Sequence, residues 1–152
     1  MNTKRIFLVL VASLVALVTQ PAFAQETPIG VWKTIDDATG KPRALVRISE
    51  VNGTLQGKIE KLFLEPDEPQ NPKCIACTDA RKDQPIVGMT IVSGLKKDPD
   101  GPGWSGGEIL DPKNGKVYKS KAMLADGGRK LEVRGYVGIA LFGRTQTWVR
   151  EQ

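Results

Sequence analysis

The sequence predicts an all-β protein: a single small antiparallel barrel of eight up-and-down strands. Three observations carry that expectation. Short segments alternate apolar and polar residues with a period of two, turn residues separate them at near-regular intervals, and no stretch of about eleven residues shows a helical face. An up-and-down sheet of this size removes its exposed edges most simply by closing on itself, and eight strands leave an interior just wide enough for side chains or for side chains and one small ligand.

The elements follow in order. Ahead of the fold, Lys4 and Arg5 precede an apolar run over 6–18, and Ala22-Phe23-Ala24 places small residues where a signal peptidase reads. Residues 1–24 are therefore expected to be a cleaved secretory signal peptide. The apolar run is too short for the roughly twenty residues that span a hydrocarbon core, so no transmembrane segment is expected in the mature chain. No cysteine near the cleavage point offers a lipid attachment site. The expected destination is the periplasm, or the exterior, of a Gram-negative-type bacterium. Residues 25–152 are the right length for one domain.

Strand one is expected over 30–35, with a loop over 36–41. Strand two, 43–51, alternates Ala44, Val46 and Ile48 against Arg47 and Ser49. Asn52-Gly53 closes a hairpin, since both central positions of a type I′ turn need positive φ. Strand three, 54–64, sets Leu55, Gly57 and Ile59 against Gln56, Lys58 and Glu60. A long surface loop over 65–85 follows, holding Pro66, Pro69, Pro72, Pro85 and both cysteines, because proline cannot donate to a ladder. Residues 87–95 form either strand four or a helical turn over a barrel end. After a loop at 96–103 comes strand five, 104–110, a turn at 111–115, and strand six, 116–124. Strand six faces Tyr118, Ser120, Ala122 and Leu124 one way and Lys119 and Lys121 the other. Asp126-Gly127-Gly128 turns into strand seven, 130–137, which opposes Leu131 and Val133 to Lys130, Glu132 and Arg134. An apolar link at 138–142 leads to strand eight, 143–150.

Composition removes several function classes. The chain has 22 basic and 17 acidic residues; without Lys4 and Arg5 the mature balance is 20 against 17, a mild +3 with the signs interspersed. No basic run and no cluster of aromatics interleaved with arginine marks a nucleic-acid interface. There is no histidine, so neither a Ser-His-Asp nor a Cys-His site can exist, and the commonest zinc ligand is missing. No catalytic residue, metal site or cofactor is predicted, and the protein is not expected to be an enzyme.

Gly30-Val31-Trp32 on the first strand and Arg150, in Thr147-Trp148-Val149-Arg150 on the last, resemble the lipocalin-like superfamily, in which a first-strand tryptophan packs under a last-strand arginine. A longer pattern is more specific: Gly40-Lys41, Val46-Arg47-Ile48, Asn52-Gly53, Gly57-Lys58-Ile59, Cys74, Cys77, Trp104, Gly107, Ile109-Leu110-Asp111-Pro112, Gly115-Lys116, Tyr118, Leu131, Arg134-Gly135-Tyr136, Gly138, Gly143-Arg144-Thr145 and Trp148-Val149-Arg150. Over essentially the whole mature chain this resembles the bacterial family catalogued as domain of unknown function 2147. The resemblance implies an exported protein of lipocalin-like fold, with Trp32 and Arg150 closing the barrel, and it implies no catalytic residues.

Cys74-Ile75-Ala76-Cys77 is the sharpest chemical feature. In an oxidising envelope the two cysteines are expected to pair and pin the 65–85 loop. A thiol redox pair is the alternative, but redox cysteines of this spacing open a helix, whereas these follow Asn71-Pro72-Lys73. A metal half-site would need further ligands that the chain lacks. Trp32, Trp104 and Trp148 read first as core filling. If the barrel holds a ligand, Trp104, Tyr118, Tyr136 and Phe142 are expected to contact it. Small inward residues such as Gly57, Ser120 and Ala122 around an open space would favour a ligand; aromatics filling that space would favour a filled barrel that meets an envelope component through its loops. The link Val137-Gly138-Ile139-Ala140-Leu141-Phe142 is expected as a packed corner, with a lip at the mouth as the alternative. Asp36 and Asp37 read as turn formers, with a Ca²⁺ site or an acid–base pair as the alternative, and Lys119, Lys121, Lys130 and Arg134 read as a solvated face, with a cationic stripe that meets anionic envelope glycans or lipids as the alternative. The expected partners are thus a small apolar or amphipathic ligand, or an envelope component; oligomeric state has no sequence signal.

Overall fold

The computed structural model describes residues 27–151; the leader expected over 1–24 lies outside them. Eight strands follow one another: β1 (Gly30–Ile35), β2 (Pro42–Val51), β3 (Thr54–Leu62), β4 (Thr90–Lys97), β5 (Trp104–Asp111), β6 (Lys116–Ala125), β7 (Lys130–Tyr136) and β8 (Gly143–Arg150). Each pairs antiparallel with the next, and β8 returns to β1 to close the barrel. The described residues contain no helix.

The period of two puts the apolar side chains inside. β2 buries Ala44, Val46 and Ile48; β3 buries Leu55, Gly57 and Ile59; β7 buries Leu131 and Val133. Gly57 is required by space rather than by its backbone angles, because a Cβ there would lie 3.0 Å from both Ile48 Cδ1 and Val92 Cβ. Asn52 (φ 51°) and Gly53 (φ 75°) make the left-handed pair that the tight hairpin needs.

Residues 87–95 resolve into a strand and not a helical turn, but it begins at Thr90 and runs to Lys97. Residues 86–89 turn instead: Met89 N donates to Ile86 O (3.1 Å), and Gly88 N, at φ 89°, donates to Ile59 O (2.7 Å). β3 ends at Leu62, two residues early; Phe63 N still donates to Arg43 O (2.9 Å) before the chain leaves the sheet. β7 stops at Tyr136 rather than Val137.

In an up-and-down barrel alternate connections fall at the same end. The base therefore collects the 52–53, 98–103 and 126–129 turns with both ends of the described chain. The mouth collects the 36–41 loop, the long 63–89 segment, the 112–115 turn and the 137–142 loop.

The base is filled. Trp32 is fully buried, and its Nε1 donates to Pro28 O (2.7 Å). The Arg150 guanidinium lies 4.2 Å from the Trp32 ring centroid and donates to Thr27 O (2.7 Å), Gly128 O (2.8 Å) and Ile29 O (3.1 Å). Burial lowers the Arg150 pKa, yet an arginine keeps its charge. Trp104, Trp148 and Leu131 complete this layer of large side chains. Closure is brief: β1 and β8 pair only at Trp32↔Arg150 and Lys33↔Val149, whereas β7 and β8 pair from Lys130↔Val149 to Tyr136↔Gly143.

Cys74 and Cys77 form a disulfide, both buried. The 63–89 segment is packed rather than loose. Lys73 bridges to Pro85, Cys74 N donates to Gln84 O (2.9 Å), and Ile86 N to Pro72 O (3.0 Å). Its tip rests on the β5–β6 turn, where Gly115 (φ 72°) is so close to Ala76 that a Cβ would stand 1.9 Å from Ala76 O.

Candidate functional site

The space absent from the base is present at the mouth. A cavity of about 960 Å³ opens there, with Val46, Ile59, Ile91, Leu110, Val133 and Trp148 among its apolar lining. β8 grades the wall by alternation. Arg144 stands at the rim, Gln146 below it and Trp148 below that, while Arg150, next on the same face, plugs the base. Thr34 on β1 and Tyr118 on β6 add hydroxyl groups to the lining. Asn114 Nδ2 donates to Tyr118 Oη (3.1 Å), and Trp148 Nε1 lies 3.5 Å from Gln146 Oε1, a long and weak contact.

The rim carries charges that are largely spent on one another. Arg43 forks onto Glu68 (2.7 and 3.0 Å), Lys41 meets Glu65 (2.7 Å), and Arg144 pairs with Asp37. The Arg43 guanidinium holds the Glu68 carboxyl below its usual range. Asp36 Oδ1 accepts from Thr39 N (2.9 Å), Thr39 Oγ1 (3.0 Å) and Ala38 N (3.0 Å), and these bonds, Thr39's first, lower its pKa. Asp36 thus organises its own turn and Asp37 anchors β8. Among the described residues no group of three or more candidate metal ligands occurs.

The expected ligand residues divide. Tyr118, Tyr136 and Phe142 line the cavity, but Trp104 does not. β5 starts at the base, so Trp104 packs there under Lys97, whose Nζ is 5.0 Å from the ring centroid. The small residues Gly57, Ser120 and Ala122 do not surround the open space either; they are buried against the larger side chains that fill the barrel. Ser120 Oγ is buried without a hydrogen-bond partner, and nothing in the structure explains it.

Two surface expectations change. The 137–142 link is not a packed corner: Val137, Ile139, Leu141 and Phe142 are 66, 59, 76 and 69% exposed. Of the expected solvated cations, Lys119, Lys121 and Lys130 are exposed, and Arg134 departs from the set. Arg134 turns its guanidinium onto Ala140 O (2.6 Å), Leu141 O (3.1 Å) and Thr145 Oγ1 (2.9 Å), and Lys130 meets Asp126 (3.5 Å). Sequence reasoning missed Thr34, Arg144 and Gln146. The alternation of β8, with Trp148 as its inward reference, was the signal that could have placed Arg144 and Gln146.

The arrangement can enclose a molecule with an apolar body and a polar end near Gln146 and Tyr118. Comparisons with known proteins agree with the architecture. The model of a family described as "Uncharacterized protein conserved in bacteria (DUF2147)" matches residues 30–150. No curated protein matches the chain. A solved structure similar to it, described as "Protein HP1028 from the human pathogen Helicobacter pylori belongs to the lipocalin family", aligns with a TM-score of 0.68 at 21% identity, covering 82% of each chain. At that identity the likeness concerns the lipocalin-like fold.

Proposed function

The chain belongs to the bacterial family DUF2147, and from that premise we propose that it is an exported, non-enzymatic barrel holding one small apolar or amphipathic molecule at its mouth. The cavity carries this reading. Its volume, about 960 Å³, falls within the roughly 300–1,000 Å³ of small-molecule sites, and its mixture of apolar walls with a few polar groups is what such sites share. Export is supported by the leader pattern over 1–24 and by a disulfide of the kind that oxidising compartments sustain. Redox exchange finds less support, because the attacking thiolate needs access to sulfur and both cysteines are at most 2% exposed.

The test is native mass spectrometry of protein exported to a bacterial periplasm and purified without detergent, together with uptake of an environment-sensitive apolar dye. A defined extra mass, or saturable dye uptake that Gln146→Trp reduces at least tenfold while leaving the melting temperature near wild type, supports the carrier. A bare chain whose dye uptake is unaffected by Gln146→Trp overturns it.

A further inference from the structure

The 137–142 loop is an apolar tip whose carbonyls from Ile139 to Phe142 are served from within the protein. It carries four exposed large apolar side chains and no charge. Val137 N donates to Phe142 O (3.1 Å) and Phe142 N to Ile139 O (3.0 Å). The next two carbonyls, Ala140 O and Leu141 O, are taken by Arg134 from within β7. The four consecutive carbonyls from Ile139 to Phe142 therefore have donors inside the protein. A tip bathed only in water has no need of this, since solvent would serve those oxygens. Leaving water is different, because an unpaired backbone group in a hydrocarbon phase costs several kcal/mol. Arg134 lowers that cost for the Ala140 and Leu141 oxygens, and its charge is held beneath the tip.

Cations stand alongside. Lys119 is directly opposite Tyr136, the residue before the loop, and Lys116 lies further toward the mouth on the same neighbouring strand. Both are exposed, and among the described residues neither is in an ion pair. Register sets Glu108 opposite Lys119 and Asp111 opposite Lys116, yet neither acid holds its lysine in an ion pair, and an apolar tip flanked by lysines free to reach outward complements a surface that is anionic outside and apolar beneath. Val137 and Phe142 also line the cavity, so whatever the tip enters lies at the cavity's threshold.

We propose that the mouth of the barrel docks on an anionic phospholipid surface, the 137–142 tip entering the interface while Lys116 and Lys119 meet the phosphates. This goes beyond the carrier reading and does not depend on it, since docking requires no occupant in the cavity.

The test is co-flotation of the exported protein with vesicles of phosphatidylglycerol and phosphatidylethanolamine, against vesicles of phosphatidylcholine alone, with sedimentation velocity of the free protein. The anionic vesicles are expected to carry the protein at least tenfold better. Leu141→Ser with Phe142→Ser should cut that binding at least tenfold, and Lys116→Gln with Lys119→Gln should reduce it several-fold and flatten its salt dependence. Because these side chains are exposed, circular dichroism should stay unchanged. A Phe142→Trp variant should gain a blue-shifted emission component, quenched by brominated lipid tails. No binding to anionic vesicles, binding indifferent to the double-serine change, or a concentration-dependent dimer that the double-serine change abolishes would overturn the proposal, the last by assigning the tip to a second copy of the chain.

Discussion

Replacing Arg150 with methionine tests the account of the barrel base, because the side chain's stem survives while its charge and fork are lost. The guanidinium makes three hydrogen bonds to carbonyl oxygens, at 2.7, 2.8 and 3.1 Å. Charge-assisted bonds are worth about 1.5–3 kcal/mol each when buried. Here Ile29 is exposed and Thr27 half-buried, while Gly128 is buried, so water replaces part of what is lost, and about 2 kcal/mol for all three is a fair total under that discount. The stacking on Trp32 at 4.2 Å adds about 1 kcal/mol. The expected loss is about 3 kcal/mol, or about 10 °C in melting temperature for a domain of this size. Urea unfolding followed by tryptophan fluorescence should show a lower midpoint at unchanged slope. Arg150→Lys, which keeps a charge but cannot fork, should recover about a third of the loss. Pairing Arg150→Met with Trp32→Leu should reveal a coupling of about 1 kcal/mol. A loss below about 0.5 kcal/mol for Arg150→Met, the size of an ordinary surface change, would refute the view that this plug holds the base together.

Removing the disulfide with Cys74→Ser and Cys77→Ser should cost about 2 kcal/mol or less, because the ring it closes is small. The clearer sign should be faster proteolysis within 65–85, and an unchanged digestion pattern would count against the pinning role. Gly115→Ala combines a left-handed backbone angle with a Cβ placed 1.9 Å from Ala76 O, so it should destabilise by at least about 1–3 kcal/mol; a melting temperature equal to wild type would show that the turn and the disulfide loop are not in contact. Arg81 holds the Asp79 carboxyl at about 2, below its ordinary 3.8. A depressed folded pKa means a contribution fully present above the unfolded value and lost as pH falls through the folded one. Melting temperatures should therefore fall between about pH 4 and pH 2 more steeply for the wild type than for Asp79→Asn, and parallel profiles would remove the pair from the acid response.

Much of the barrel was legible because a period of two is a local property. β2, β3, β6 and β7 declared their inward faces through Val46, Ile59, Ala122 and Val133, and Asn52-Gly53 declared its hairpin. The start of β4 was not legible, since residues 86–89 are as apolar as a strand while Gly88 bends them into a turn. The 137–142 link misled for a related reason. Hydrophobicity argues for burial, but topology carries this loop to the open end of the barrel, where nothing covers it. The mouth site was the least legible part. The Asp37–Arg144 pair joins residues 107 positions apart, and the open space is a property of the whole ring of strands. Trp104 and Tyr118 look alike as inward aromatics, and only the direction of each strand places one at the base and the other beside the cavity.

The two-rung closure between β1 and β8 gives the wall one compliant line. Above Lys33 and Val149 those strands are no longer laddered, so the barrel behaves mechanically as a rolled sheet fastened at its lower corner and tied at the upper one by the exposed Asp37–Arg144 contact. Amide hydrogens along that line should exchange with solvent well before those of the β6–β7 ladder. A ligand broader than the resting space can then be admitted by parting the upper seam, while the Trp32–Arg150 plug below stays shut. Girth would be adjustable and depth would be fixed.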